Sequence, residues 1–236
     1  MPDGVRLGWF TVLVLVVDSS TPAVTAALVE VTADAVVTRA HRCTVDARAH
    51  GELLAPQVDT VLADVDARPV DLTAIVVGLG PGPFTGLRVG LVTAATMGQV
   101  LDIPAYGVCS LDAIGHPAVT GAPVLAASDA RRREIYWAVY GGAGERVVGP
   151  EVGMPTVAAD RARELGATAA VGDGAHRYAE VLGLPLLAEP RYPDAHALAV
   201  LAAEKVRAGA ASDPLTPLYL RRPDAVAATA RKPVLP

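Results

Sequence analysis

A chain of 236 residues, 52% of them hydrophobic, can bury a sizeable core and is too apolar to stay disordered. Its formal charge of −5 argues against gripping a nucleic-acid backbone unaided, though not against a local basic patch. Two cysteines, Cys43 and Cys109, make neither a disulfide framework nor a zinc quartet, and fit a reducing, cytoplasmic compartment.

The longest apolar run, residues 9–17, is well short of the ~20 residues that span a bilayer, so no membrane association is expected. Only Arg6 precedes it and Asp18 ends it, so it reads as a buried strand rather than a signal peptide. Residues 12–17 are continuously apolar, as in a central strand covered on both faces. Residues 24–31 and 35–40 follow after short turns, which predicts an antiparallel meander of three strands. Leu53, Leu54, Val58, Val61, Leu62 and Val65 then share one helical face, with His50 in the same arc. Pro56 is expected to kink this 50–65 helix or to start a second one. A short strand at 75–77, a Gly/Pro loop at 80–86, a helix at 85–101 and a strand at 105–108 complete an α/β layer. A second set begins at 124, with strands at 124–127, 135–140 and 169–171 and helices at 156–165, 175–182 and 196–208. A boundary near 110 divides the chain into lobes 1–110 and 111–222, and the aperiodic stretch 223–236 is expected to be a mobile tail.

Four segments carry polar chemistry. Asp18-Ser19-Ser20-Thr21 ends the first strand, where a carboxylate and hydroxyls can face a phosphate or Mg²⁺ or simply cap a turn. Gly80-Pro81-Gly82-Pro83-Phe84-Thr85-Gly86-Leu87-Arg88 joins a strand to a helix. It offers glycines for close approach, but it has neither the Gly-Lys-Ser/Thr ending of a P-loop nor three dinucleotide glycines. Its alternative reading is a rigid turn that sets helix packing. In His50-Gly51-Glu52-Leu53-Leu54, a zinc-binding helix would place a second His at 54, so packing or interface contact outweighs metal ligation. In Asp129-Ala130-Arg131-Arg132-Arg133-Glu134, three arginines could hold phosphate or an acidic partner, but the flanking acids point to a solvated hairpin turn.

Taken in order, these segments resemble one family. The pattern is Asp18-Ser19-Ser20-Thr21, His50-x-Glu52-x-Leu54-x-Pro56, Gly80-Pro81-Gly82-x-Phe84-Thr85-Gly86-Leu87-Arg88, Ser110-Leu111, Asp129-Ala130-Arg131 through Tyr136, and Pro217-Leu218-Tyr219-Leu220-Arg221. It is similar to TsaB, the bacterial tRNA threonylcarbamoyladenosine biosynthesis family, from about residue 12 to Arg221. The resemblance implies a two-lobed actin-like ATPase (RNase H-like) α/β fold, each lobe a mixed sheet packed with helices. It implies a non-catalytic subunit supporting N6-threonylcarbamoylation of adenosine-37 in ANN-reading tRNAs. Its partners would be a TsaD-like catalytic subunit, which holds the metal, and a TsaE-like ATPase. TsaC or an equivalent would make the intermediate, tRNA would be met only through the complex, and the chain would form a homodimer when alone.

Catalytic relatives bind metal through two His one helical turn apart; here Leu54 takes the second position, so neither metal nor catalytic residues are expected. His50, Leu53, Leu54 and Val58 on one helix and Arg88 on the next become the candidate partner interface. Any ATP or ADP with Mg would meet Asp18, Ser20, Thr21, Gly82 and Thr85, although Pro83 stands where the family usually has Ser. The competing readings are an autonomous small ATPase or phosphotransferase of the same fold, using those residues, and a metallopeptidase, for which the His pair is missing.

Overall fold

The computed structural model describes residues 12–221, so the tail expected at 223–236 lies outside the described residues. The first sheet has five strands in the order β3-β2-β1-β4-β5. They are β1 (Val12–Asp18), β2 (Ala23–Val31), β3 (Val36–Val45), β4 (Ala74–Gly78) and β5 (Ala105–Val108). The first three form the expected antiparallel meander, and β4 and β5 run parallel to β1. Because side chains alternate across a strand, the apolar run of β1 supplies two cores. Leu15 and Val17 pack under α1 (His50–Ala63) and α2 (Phe84–Leu101), while Val14 and Val16 face the opposite side.

That opposite side is covered by a helix from the far end of the chain. After α3 (Asp112–Gly115), the second sheet forms from β6 (Val124–Asp129), β7 (Ile135–Tyr140), β8 (Arg146–Gly153) and β9 (Ala169–Val171), in the order β8-β7-β6-β9. Leu125, Ile135 and Trp137 face α4 (Pro155–Glu164), α5 (Asp173–Arg177) and α6 (Ala179–Leu182). Then α7 (Ala195–Arg207), capped by Asp194 accepting from the Ala197 N–H at 2.7 Å, returns to the first sheet. Its small residues Ala195, Ala199, Ala202 and Ala203 lie against Val14, Val16, Val29 and Val76. The chain then runs along β5, with the Asp213 N–H on the Ala105 carbonyl at 2.9 Å, and reaches the second lobe at Arg221.

Four local expectations change. The helix expected at 50–65 is one element, His50–Ala63, with Pro56 inside it, so no second helix begins there. β3 continues to Val45 because pairing with β2 sustains it, although most of its side chains are exposed. The 175–182 helix is two short ones meeting at Tyr178. β8 was not foreseen: it is an exposed edge strand containing Gly149 and Pro150, with no alternating pattern to read.

Candidate functional site

Two neighbouring regions hold the residues singled out in the sequence. The first is the junction of the Asp18–Thr21 turn with the Gly80–Arg88 loop. Asp18, Ser19, Ser20 and Thr21 are all buried. Asp18 Oδ1 accepts from the Ser20 N–H at 2.9 Å and the Ser20 hydroxyl at 2.8 Å. Asp18 Oδ2 accepts from the Ser110 hydroxyl at 2.6 Å, and Ser110 Oγ in turn accepts from the Gly80 N–H at 3.1 Å. The Ser19 hydroxyl donates to the Gly86 carbonyl and accepts from the Gly90 N–H, both at 2.8 Å. Burial lifts the Asp18 carboxyl above its ordinary range, against the opposing hydrogen bonds from Ser110 and Ser20 and the nearby His50.

The glycines of this region leave room for the protein's own chain. A β-carbon on Gly82 would collide with the Ser20 carbonyl, one on Gly78 with the Asp18 carboxylate, and one on Gly86 would press on the Ser19 carbonyl and the His50 ring. The close backbone approach read from the sequence is therefore real, but what approaches is the 18–21 turn. Of the residues singled out for nucleotide, Asp18, Ser20, Thr21 and Gly82 meet inside this junction, and each oxygen of Asp18 already has a partner in the chain. Thr85 is exposed at the start of α2, apart from them.

His50 donates from Nε2 to the Thr21 carbonyl at 2.8 Å and so fastens α1 to the same turn. Leu54 is 1% exposed and Val58 5%, both packed against the sheet, so they have no surface to offer a partner. Leu53 is half-buried and Arg88 exposed. The helical periodicity found the apolar face correctly, but that face is the one turned inward. Among the described residues, no group of three or more His, Cys, Asp or Glu side chains stands close enough to hold a metal ion.

The second region is an open cleft of about 410 Å³ between the lobes. One wall is the start of α2 and the final segment of the described chain. Phe84 and Tyr219 stack with ring centroids 5.2 Å apart, and the Arg88 guanidinium lies 3.8 Å from the Phe84 centroid while donating to the Tyr219 hydroxyl at 2.9 Å. The other wall is the β6–β7 hairpin with Arg131 and Arg132. Arg221 ties the walls together: it donates to the Ala130 carbonyl at 2.9 Å and pairs with Glu134. Asp129 ends β6, and Asp173 opens α5 two residues after β9, the parallel neighbour of β6. Burial and the Asp129 charge push the Asp173 carboxyl up to about 6. Ser110, Phe84 and Tyr219 were not assigned roles from sequence. The available signal was position: Ser110 follows β5 as Asp18 ends β1, one strand away across β4.

Similarity to known proteins agrees with this architecture. The family model for tRNA N6-adenosine threonylcarbamoyltransferase (TsaD) matches residues 43–214. An uncharacterized protein of Mycobacterium leprae is 46% identical over 92% of this chain, which spans 57% of that protein's length. The tRNA threonylcarbamoyladenosine biosynthesis protein TsaB of Escherichia coli is 38% identical over 39% of this chain and 42% of its own. The solved structure of YeaZ from Pseudomonas aeruginosa superposes with a TM-score of 0.70 at 27% identity, covering 89% of this chain and all of the other.

Proposed function

The chain belongs to the TsaD family and within it is TsaB-like, with the two-lobed actin-like fold, and from this premise we propose that it is the non-catalytic subunit of a tRNA threonylcarbamoylation complex. Its part is to support N6-threonylcarbamoylation of adenosine-37 in ANN-reading tRNAs by pairing with a TsaD-like catalytic subunit. A TsaE-like ATPase joins the pair, and the setting is the cytoplasm; no described helix is long and apolar enough to cross a membrane.

The observation that carries this reading is the Asp18 junction. A catalytic or ATP-cycling member of this fold needs polar groups open to a ligand. Here the equivalent turn is filled by Ser20, Ser110 and the glycine loop, and the position for a second metal-binding His is the core residue Leu54. These residues do not fit a resident metal or Mg-nucleotide, and the proposal assigns neither to the chain. The outward surface of the helical layer includes apolar side chains among its polar ones: Val92 and Val100 on α2 are exposed, and Leu53 on α1 is half-buried. An interface needs an apolar centre of this kind, and it serves the catalytic subunit or a second copy of the chain.

The test is reconstitution with TsaC-, TsaD- and TsaE-like proteins, read by nucleoside mass spectrometry. Modification that appears only when the chain is present is the expected result. Full modification without it, or ATP turnover by the chain alone, would overturn the proposal in favour of an autonomous ATPase.

A further inference from the structure

We propose that the 129–134 hairpin is a phosphate-gripping site for the backbone of the RNA substrate, an inference that rests on the tRNA-modification reading above. Arg131, Arg132 and Arg133 have φ values of 61°, 52° and 64°, three successive left-handed residues without a glycine. Glycine or asparagine would make such a turn with less strain. The turn is held from within by the Ala130 N–H on the Glu134 carbonyl at 3.0 Å and the Glu134 N–H on the Arg131 carbonyl at 2.9 Å.

In sequence, Asp129 and Glu134 flank the run and cut its excess positive charge. In the fold neither carboxylate pairs with the guanidinium of Arg131 or Arg133. Asp129 accepts from the Arg131 N–H at 3.3 Å and faces Arg177 at 3.4 Å, and Glu134 is paired with Arg221. The Arg131 and Arg133 guanidiniums therefore have no carboxylate partner among the described residues, and all three arginines are exposed. In a chain of net charge −5, this is a local positive field beside an inter-lobe cleft that Arg131 itself lines.

The facing wall narrows the ligand class. The Phe84 ring has Arg88 on it and is stacked with Tyr219, so it is engaged within the protein rather than set out for an unstacked base. The cleft thus offers forked cationic donors rather than a base pocket. Guanidinium forks match phosphate oxygens, and phosphate contacts position a nucleic acid without reading its sequence. A subunit that supports modification of many different tRNAs needs that kind of contact.

The test uses the Arg131→Gly/Arg133→Gly double variant, which removes two charges while relaxing the left-handed turn. Binding of fluorescein-labelled ANN-reading tRNA to the reconstituted complex is followed by anisotropy between 50 and 200 mM salt. We expect roughly tenfold weaker binding near 100 mM salt and a log–log salt slope shallower by about one to two, since each phosphate contact contributes about 0.9. Melting temperature should be unchanged or higher. Inorganic phosphate and ATP serve as competitors: displacement of tRNA by either at micromolar concentration would show a small-anion site and overturn the RNA assignment. Unchanged tRNA affinity and slope would overturn it too, as would loss of binding to the catalytic subunit in place of tRNA. If the complex still modifies tRNA while the variant binds it normally, only this inference fails. If the wild-type chain is dispensable for modification, the functional reading itself fails.

Discussion

The Asp18 junction and the hairpin cleft lie side by side, yet they treat polar groups in opposite ways. At the junction, a carboxylate, three serines and five glycines close on one another, and each oxygen of Asp18 has a donor. At the hairpin, the Arg131 and Arg133 side chains stand exposed while Asp129 faces Arg177 and Glu134 pairs with Arg221. The sequence left the glycine-rich loop open between a ligand cradle and a rigid turn, and read the arginine run as a solvated hairpin turn, which it is. The lesson is that glycine reports a close approach but not what approaches, and that a charge run is neutral only if its neighbours point at it.

The sharpest way to break this comparison is to open the junction. Gly82→Ala places a methyl against the backbone carbonyl of Ser20, which cannot swing away as a side chain could. It should cost at least about 3 kcal/mol and give an insoluble or molten product by circular dichroism. Leu54→Arg should do the same through an unpaired buried charge, while Leu53→Arg leaves the fold intact. A folded, soluble Gly82→Ala protein would show that the junction is loose enough to admit a ligand.

A milder probe is Ser110→Ala. It removes the donor to Asp18 Oδ2 and the acceptor for the Gly80 N–H, leaving a buried carboxylate oxygen and a backbone amide unpaired. The expected loss is about 2 kcal/mol in urea denaturation. A change under ~0.5 kcal/mol would mean that water already supplies those bonds.

The smallest effect belongs to the cleft side. Asp173 has its carboxyl raised to about 6 by burial and the Asp129 charge, and its Oδ1 is buried without a partner among the described residues. Because the folded pKa lies above the unfolded one, this group's stability contribution is full below about pH 4 and is lost as pH rises through about 6. Asp173→Asn should therefore raise the melting temperature by about 3 °C at pH 7.5 and by nothing near pH 4. A pH-independent difference would assign the effect to packing instead.

Much of the fold was legible because its signals are local. The apolar runs of β1, β4 and β5, the 3.6-residue stripe of α1 and the Gly/Pro loop before α2 need only neighbouring residues to be read. Edge strand β8 was not, because an exposed strand lacks the burial that writes a pattern into sequence. Side-chain fate was the other blind spot. Periodicity identified the stripe of Leu54 and Val58 but could not say whether a sheet or a partner covers it.

The sequence by itself determined the α/β class, most of the elements and the family, since these follow from hydrophobic period and from residues at fixed spacing along the chain. Only the tertiary structure decided that α7 crosses back to cover the first sheet, that Ser110 meets Asp18 from 92 residues away, and that Arg221 draws Glu134 off the arginine turn. Those pairings join residues far apart in the chain, and their partners are fixed by packing rather than by any local preference.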